Sequence, residues 1–154
     1  MNNLDATDLR ILELLQENAQ LTTKEIGAKL QLSNTPVHER IKRLEREGFI
    51  RKYVALLNPQ KLNRSLTAYC NVQLKEHSRP YLDKFEQEVT CLKEVVACYY
   101  IAGTFDYLLK VMVANMDEYH EFIAYKLASL DNIGHAQSAF VMKEIMESTA
   151  LPLK

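Results

Sequence analysis

The residues whose types and spacing could do chemistry fall in two places, and neither has the pattern of a catalytic centre. The first is residues 22–48, where Lys24, Arg40, Lys42, Arg43 and Arg46 accompany the small hydrogen-bonding side chains Thr23, Ser33, Asn34 and Thr35 and the imidazole of His38. Cationic and amide or hydroxyl groups on one short segment suit a polyanion whose base edges also need reading, which is to say double-stranded DNA. Asn34, Thr35 and His38 are the candidates for base contact, Lys42, Arg43 and Arg46 for phosphate or guanine. Ser33, Arg40, Thr23 and Lys24 complete the candidate DNA-binding set. Glu39 sits among the bases, where it accepts from a cytosine amino group or pairs internally with Arg43. The second place is Gly103-Thr104-Phe105-Asp106. It reads either as a hairpin turn, with glycine supplying a positive φ and aspartate capping its own backbone, or as a small-ligand site, with turn N–H groups holding a carboxylate and Asp106 an ammonium.

Other chemistries lack their residues. His38, His77, His120 and His135 are scattered with no nucleophile or metal-ligand partner at a telling spacing, and Asp117-Glu118 look like helix-start acids. Cys70, Cys91 and Cys98 are odd in number and have no C-x-x-C spacing, so reduced, mostly buried thiols are expected rather than disulfides or zinc. Neither an enzyme, nor a metal, nor a cofactor is expected. The N-terminus has no basic region followed by an apolar run and no stretch is long and apolar enough to span a bilayer, so a cytoplasmic location with no membrane partner is expected.

Elements must position these groups. Thr22-Thr23-Lys24-Glu25 forms a capping box that opens a short helix with Ile26 and Leu30 on one face. Gln31-Leu32-Ser33 links it to a second helix that Ser33 can cap, that tolerates Pro36 in its first turn, and that Gly48 can stop in a left-handed conformation. Val37, Ile41 and Leu44 make its apolar stripe, which leaves Thr35, Glu39, Lys42 and Arg46 outward with His38 and Arg43 at the edges. A preceding helix, capped by Asp5 or Thr7, lines one face with Leu4, Asp8, Ile11, Leu12 and Leu15. Asp8 there either meets a basic residue or donor of the crossing helix, or complements the helix dipole. Together they predict a three-helix helix-turn-helix unit.

Beyond Gly48 the period changes. Residues 49–57 are rich in β-formers and read as a strand ended by Asn58-Pro59. The rest reads as strand 66–75, a helix opened by Pro80 with Leu82, Phe85 and Val89 inward, a buried strand 94–101, a turn, strand 107–114, a helix 116–130 with Tyr119, Ile123, Leu127 and Leu130 inward, and strand 133–142. That order is βαββαβ, a ferredoxin-like sheet with one face open. Tyr69, Cys98 or Tyr100 on the open face would call for a partner, so oligomerisation there is expected. The fold class is thus α+β, with a DNA-binding domain at 1–50, a connecting strand and linker at 51–64, and an effector-binding and oligomerisation domain at 65–154.

Composition agrees with an ordinary globular protein: 154 residues, 47% hydrophobic and 25% charged. The net charge of −1 hides an asymmetry, because the chain up to Arg64 carries +3 and the remainder −4. The basic half is the one that would meet a polyanion.

Taken in order, the chain resembles the Lrp/AsnC (feast/famine) family of transcriptional regulators over nearly its whole length. The matching positions are Leu4-Asp5 through Leu15, Leu32-Ser33-Asn34-Thr35-Pro36-Val37 with Arg40-Ile41 and Leu44-Glu45, and Gly48-Phe49-Ile50. They continue with Tyr53, Ala55, Leu57-Asn58-Pro59, Gly103-x-Phe105-Asp106-Tyr107-Leu108-Leu109 and Val141. The resemblance implies a winged helix-turn-helix joined to a C-terminal RAM domain that dimerises through its sheet, with dimers assembling into octamers or similar rings. It also implies that the strand after Gly48 pairs with its symmetry mate, and that a free amino acid binds between dimers near Gly103, Thr104, Phe105 and Asp106, with leucine, methionine, another amino acid or no ligand all left open. Two departures bear on that effector: Asp131-Asn132-Ile133-Gly134 stands where relatives often have Pro-Gly-Val, and Ser138 replaces a threonine. Thr104, Ala136 and Ser138 are the expected pocket wall. The competing reading is a metabolite-sensing oligomer whose winged helix makes protein contacts instead of DNA contacts.

Overall fold

Capping chemistry sets the first helix. In the computed structural model, which describes residues 4–153, Asp5 rather than Thr7 caps α1 (Ala6–Glu17). The Asp8 N–H donates to Asp5 Oδ1 at 2.8 Å and the Asp5 N–H to Asp8 Oδ2 at 3.1 Å, a reciprocal capping box. Asp8, Ile11 and Leu14 are its buried residues. The expected stripe placed Leu12 and Leu15 there instead. The apolar arc of α1 is wide enough for either flank, and the packing of the next two helices seals Leu14 and leaves Leu12 and Leu15 half covered.

Thr22 and Glu25 close the same reciprocal box at the start of α2 (Thr23–Leu30). α2 stops at Gln31, a non-glycine residue in the left-handed region (φ 56°), after which the Leu32 N–H donates back to the Gly27 carbonyl at 2.9 Å. That return needs Gly27, since a Cβ there would lie 2.7 Å from the Leu32 carbonyl oxygen. Gly27 was not singled out by sequence, although a glycine inside a helical pattern is a signal of close approach. Next comes α3 (Asn34–Arg46), which buries Val37, Ile41 and Leu44 and ends where Gly48 turns left-handed (φ 81°).

Residues 51–57, expected as a strand, pair with no other strand among the described residues. Tyr53, Val54, Leu56 and Leu57 are exposed. Their β-propensity is real, but a strand is made by its neighbour's ladder, and within one chain this segment has none.

The sheet follows the expected order: β1 (Leu66–Leu74), α4 (Arg79–Val89), β2 (Val95–Tyr100), β3 (Tyr107–Val113), α5 (Met116–Glu121) and β4 (Ile133–Phe140). It is antiparallel with strand order β2-β3-β1-β4. Ala68, Cys70, Val72 and Leu74 alternate into the core with Tyr107, Leu109, Val111 and Val113, where Phe85 and Val89 of α4 cover them. α5 widens into a π-helical stretch, Phe122–Leu127, with Ala128 N–H donating five residues back to Ile123. The wider turn breaks the 3.6-residue period, so Tyr119, Phe122 and Leu127 are the buried positions, and Ile123 and Leu130 are only partly covered.

Two further expectations are corrected by register. β2 is an exposed edge, not a buried strand. A register shift between Val95 and Ala97 sets Cys98 opposite Leu109 and Tyr100 opposite Tyr107, on the helix-covered side. Tyr99 takes the place on the open face, with Tyr69. Of the three thiols Cys70 is buried and Cys98 half-buried, but Cys91 is exposed.

The chain divides into two units. The first runs to Leu56 and is rejoined by the segment from Met146 onward; the second is Leu57–Ile145. Gln16 pins the returning segment within the first unit, its amide donating to the Leu151 carbonyl at 3.1 Å and accepting the Leu151 N–H at 2.6 Å.

Candidate nucleic-acid and effector sites

The outward side of α3 carries Asn34, Thr35, His38, Glu39, Lys42 and Arg46, all exposed. Ser33 occupies the N-cap, yet its hydroxyl makes no cap hydrogen bond, so an unspent donor and acceptor stands at the helix start with Asn34 and Thr35. Lys24 is exposed and Thr23 half-buried at the start of α2. Lys42 pairs with Glu45 at 2.8 Å across one turn, and this ammonium holds the Glu45 carboxyl below its ordinary value. Glu45 also accepts from the Tyr53 hydroxyl at 3.1 Å; burial first, and then Glu45, pushes that phenol up to about 12, so it remains a donor at neutral pH.

Arg40 and Arg43 do not belong to this outward set. Arg40 Nη1 donates to Asp8 Oδ1 at 2.7 Å and to Asp5 Oδ2 at 2.6 Å, and Arg43 Nη2 donates to Asp8 Oδ2 at 2.5 Å. Both guanidinium groups are turned to α1, a pairing that the expected DNA-contact role of Arg40 and Arg43 did not include. The same geometry decides between the two readings of Asp8, which is paired and not merely a dipole acid, and it removes the expected Glu39–Arg43 pair. The Asp5 carboxyl lies below its ordinary value through the Asp8 N–H and then Arg40, while the Arg40 guanidinium is raised by Asp5 and then Asp8.

At the second site Gly103 takes a positive φ of 143° and, with Thr104, is exposed. Asp106 does not cap its own turn. Its backbone N–H donates to the Val72 carbonyl at 2.9 Å and its Oδ2 accepts the Leu74 N–H at 2.7 Å, so the loop is tied to the end of β1. His77 Nε2 stands 3.0 Å from both carboxylate oxygens, and the Phe105 ring stacks on His135 with centroids 6.1 Å apart. Sequence reasoning missed His77, which lies 29 positions from Asp106 and carries no local signal.

Ala136 and Ser138 lie on β4, the strand that also carries His135. Both point to the helix-covered face, paired with Val72 and Cys70. The Ser138 hydroxyl accepts from the Tyr119 hydroxyl at 2.5 Å, and burial raises both the Tyr119 phenol (to about 12) and the Cys70 thiol. The structure thus gathers Gly103 to Asp106 with His77 and His135, while Ala136 and Ser138, both half-buried, face the helices. Among the described residues no cluster of His, Cys, Asp or Glu could hold a metal ion, and no helix is long and apolar enough to cross a membrane.

A three-helix unit with a polar recognition helix, joined to a βαββαβ sheet with a tied hairpin loop, defines a transcriptional regulator of the helix-turn-helix class. Residues 4–51 match the winged helix-turn-helix DNA-binding family and residues 67–151 the Lrp/AsnC ligand binding domain. The leucine-responsive regulatory protein of Escherichia coli K12 is 36% identical over 152 residues, 99% of this chain and 93% of that protein. A transcriptional regulator from Neisseria meningitidis, solved as its complex with L-Met, superposes with a TM-score of 0.93 at 37% identity, covering 97% of each chain. An AsnC family transcriptional regulator from Agrobacterium tumefaciens gives 0.92 at 37% identity over the same share of each chain. The chain belongs to the Lrp/AsnC family of transcriptional regulators.

Proposed function

We propose that this regulator reads duplex DNA with the outward face of α3 and answers to a free amino acid at the Gly103–Asp106 loop. The observation that carries the first part is the uncapped Ser33 hydroxyl beside exposed Asn34 and Thr35, which puts small hydrogen-bonding groups at the end of a recognition helix that meets base edges. His38 adds a further base contact, Lys42 and Arg46 supply phosphate or guanine contacts, and Thr23 and Lys24 touch the backbone from α2. In a salt-titrated mobility shift, Arg46→Ala should lower the slope of log affinity against log salt by about one unit, and an unchanged slope counts against the assignment.

The effector is a small amino acid, with methionine and leucine first among those to test, given what the Neisseria and E. coli relatives are named for. Exposed backbone at Gly103 and Thr104 suits its carboxylate, and Asp106 its ammonium, with His77 exchanging for that ammonium. Millimolar methionine or leucine should raise the melting temperature of the wild type and leave Asp106→Ala unmoved; no response of the wild type to any of the twenty amino acids ends this reading. The functional unit is a homodimer or a larger ring, in which the open sheet face bearing Tyr69 and Tyr99, together with the unpaired 51–57 segment, meets a second copy. Half-sites on the operator are then related by a two-fold axis.

A further inference from the structure

The basic side chains of α3 fall into two groups that the fold treats differently. Lys42 and Arg46 are exposed, whereas Arg40 and Arg43 are drawn onto one carboxylate of α1. We infer that Asp8 is a specificity-determining residue of DNA binding, withholding Arg40 and Arg43 from the phosphates and fixing the rotation of α3 so that the reading face alone meets DNA. This rests on the DNA-reading role of α3 proposed above.

Asp8 is built for that task. Its side chain is 1% exposed and its two oxygens receive three donors: Arg40 Nη1 at 2.7 Å on Oδ1, and Arg43 Nη2 at 2.5 Å with the Asp5 N–H at 3.1 Å on Oδ2. Asp5 takes the same Arg40 nitrogen at 2.6 Å, so two carboxylates balance two guanidinium groups. Arg40 and Arg43 are one turn apart on α3 and approach the first turn of α1 from the same side. Two directional bonds from adjacent positions of one helix oppose its rotation in a way that apolar contacts do not. Arg43 Nε is buried without a partner, while the side chain as a whole is 35% exposed.

The energetic consequence concerns discrimination. A phosphate contact is the same at every sequence and adds about one unit of salt slope, so it strengthens non-specific binding as much as specific binding. Two further arginines on the backbone would raise the affinity of the unit for all DNA while adding nothing to the choice among sequences. Removing Asp8 frees Arg43, leaves Arg40 held by Asp5 alone and lets α3 turn; removing one arginine takes away a charge that the DNA does not feel.

The test uses the full chain, a duplex selected from a random pool by the wild type, and an unselected duplex of the same length, both titrated by fluorescence anisotropy across a salt series. Asp8→Asn should steepen the salt slope on both duplexes by about one to two units and reduce the ratio of their dissociation constants by about tenfold or more, with helix content and oligomeric state unchanged. Arg40→Gln should keep the wild-type slope to within a few tenths of a unit. A folded Asp8→Asn with wild-type slope and ratio overturns the inference, as does an equal loss of both duplexes in step with lost helix content, which is what a purely structural Asp8 would give. A drop of about one unit in the Arg40→Gln slope also overturns it, because that arginine would then be on a phosphate. Should Asp8→Asn not fold, the Arg40→Gln slope decides alone. A wild type that retains neither duplex at low salt is a separate failure, that of the DNA reading itself.

Discussion

In the N-terminal unit the innermost polar group is a carboxylate, Asp8, closed off by two arginines of the recognition helix. In the sheet unit the polar group at the heart of the helix-covered face is neutral, the Tyr119 hydroxyl donating to Ser138 beside the Cys70 thiol. The cores around them differ in size. Among the described residues six buried apolar side chains hold the three helices, against thirteen for the sheet and its helices. A sheet already has its register fixed by the ladder, so packing and one neutral contact suffice. A small helical unit has no ladder between its helices, and an apolar stripe permits slight rotation, so directional charge pairs do the aligning. The sheet unit keeps its own buried acid, Glu94, at the rim, where burial would raise its carboxyl and the half-exposed Lys126 outweighs that.

The strongest way to break this contrast is in the sheet core. Phe85 is 2% exposed and its ring lies 4.7 Å from that of Tyr107, so Phe85→Ala should cost about 3–5 kcal/mol, read in urea denaturation by near-ultraviolet dichroism. Seven of the eight tyrosines lie beyond Leu57, which makes that signal a reporter of the sheet unit. Ser138→Ala sharpens the contrast. It removes the acceptor of a nearly buried phenol and should cost toward the low end of about 1–3 kcal/mol, and a neutral result would mean that the hydroxyl pair adds nothing to packing.

The smallest effect is the acid response of the charge-held unit. Asp5 has its folded-state carboxyl depressed by the Asp8 N–H and by Arg40. Such a group contributes stability that is present above the unfolded carboxyl value, about 3.9, and is lost as the pH falls through the folded one. Asp5→Asn keeps a good N-cap residue but cannot titrate, so its melting temperature should fall less than that of the wild type between neutral pH and about pH 3. Equal acid limbs in the two proteins would remove Asp5 from the electrostatic account.

The parts legible beforehand are those set by near neighbours. Thr22 and Glu25 are three residues apart, Gly48 follows the last turn of its helix, and the alternation of β1 and β3 needs only the strand itself. The parts that were not legible depend on distant partners or on a change of period. Tyr99 displaced Tyr100 on the open face because one register shift inverts which side chains point outward. Phe122 replaced Ile123 in the core because a π-helical turn resets the phase. His77 reached Asp106 from one loop to another, and Ser138 met Tyr119 of α5, through long-range contacts that no spacing encodes.

By itself, then, the sequence determined that a capped pair of helices with a basic, amide- and hydroxyl-bearing face precedes a βαββαβ domain with a Gly-x-x-Asp turn, because caps, stripes and turns are local. Tertiary structure alone decided which of those bases are available. The apolar stripe of α3 already set Lys42 and Arg46 outward and Arg43 at an edge, but only the fold shows that a carboxylate more than thirty residues away takes Arg40 and Arg43. Charge acts at the separation the fold creates, and the separation along the chain does not reveal it.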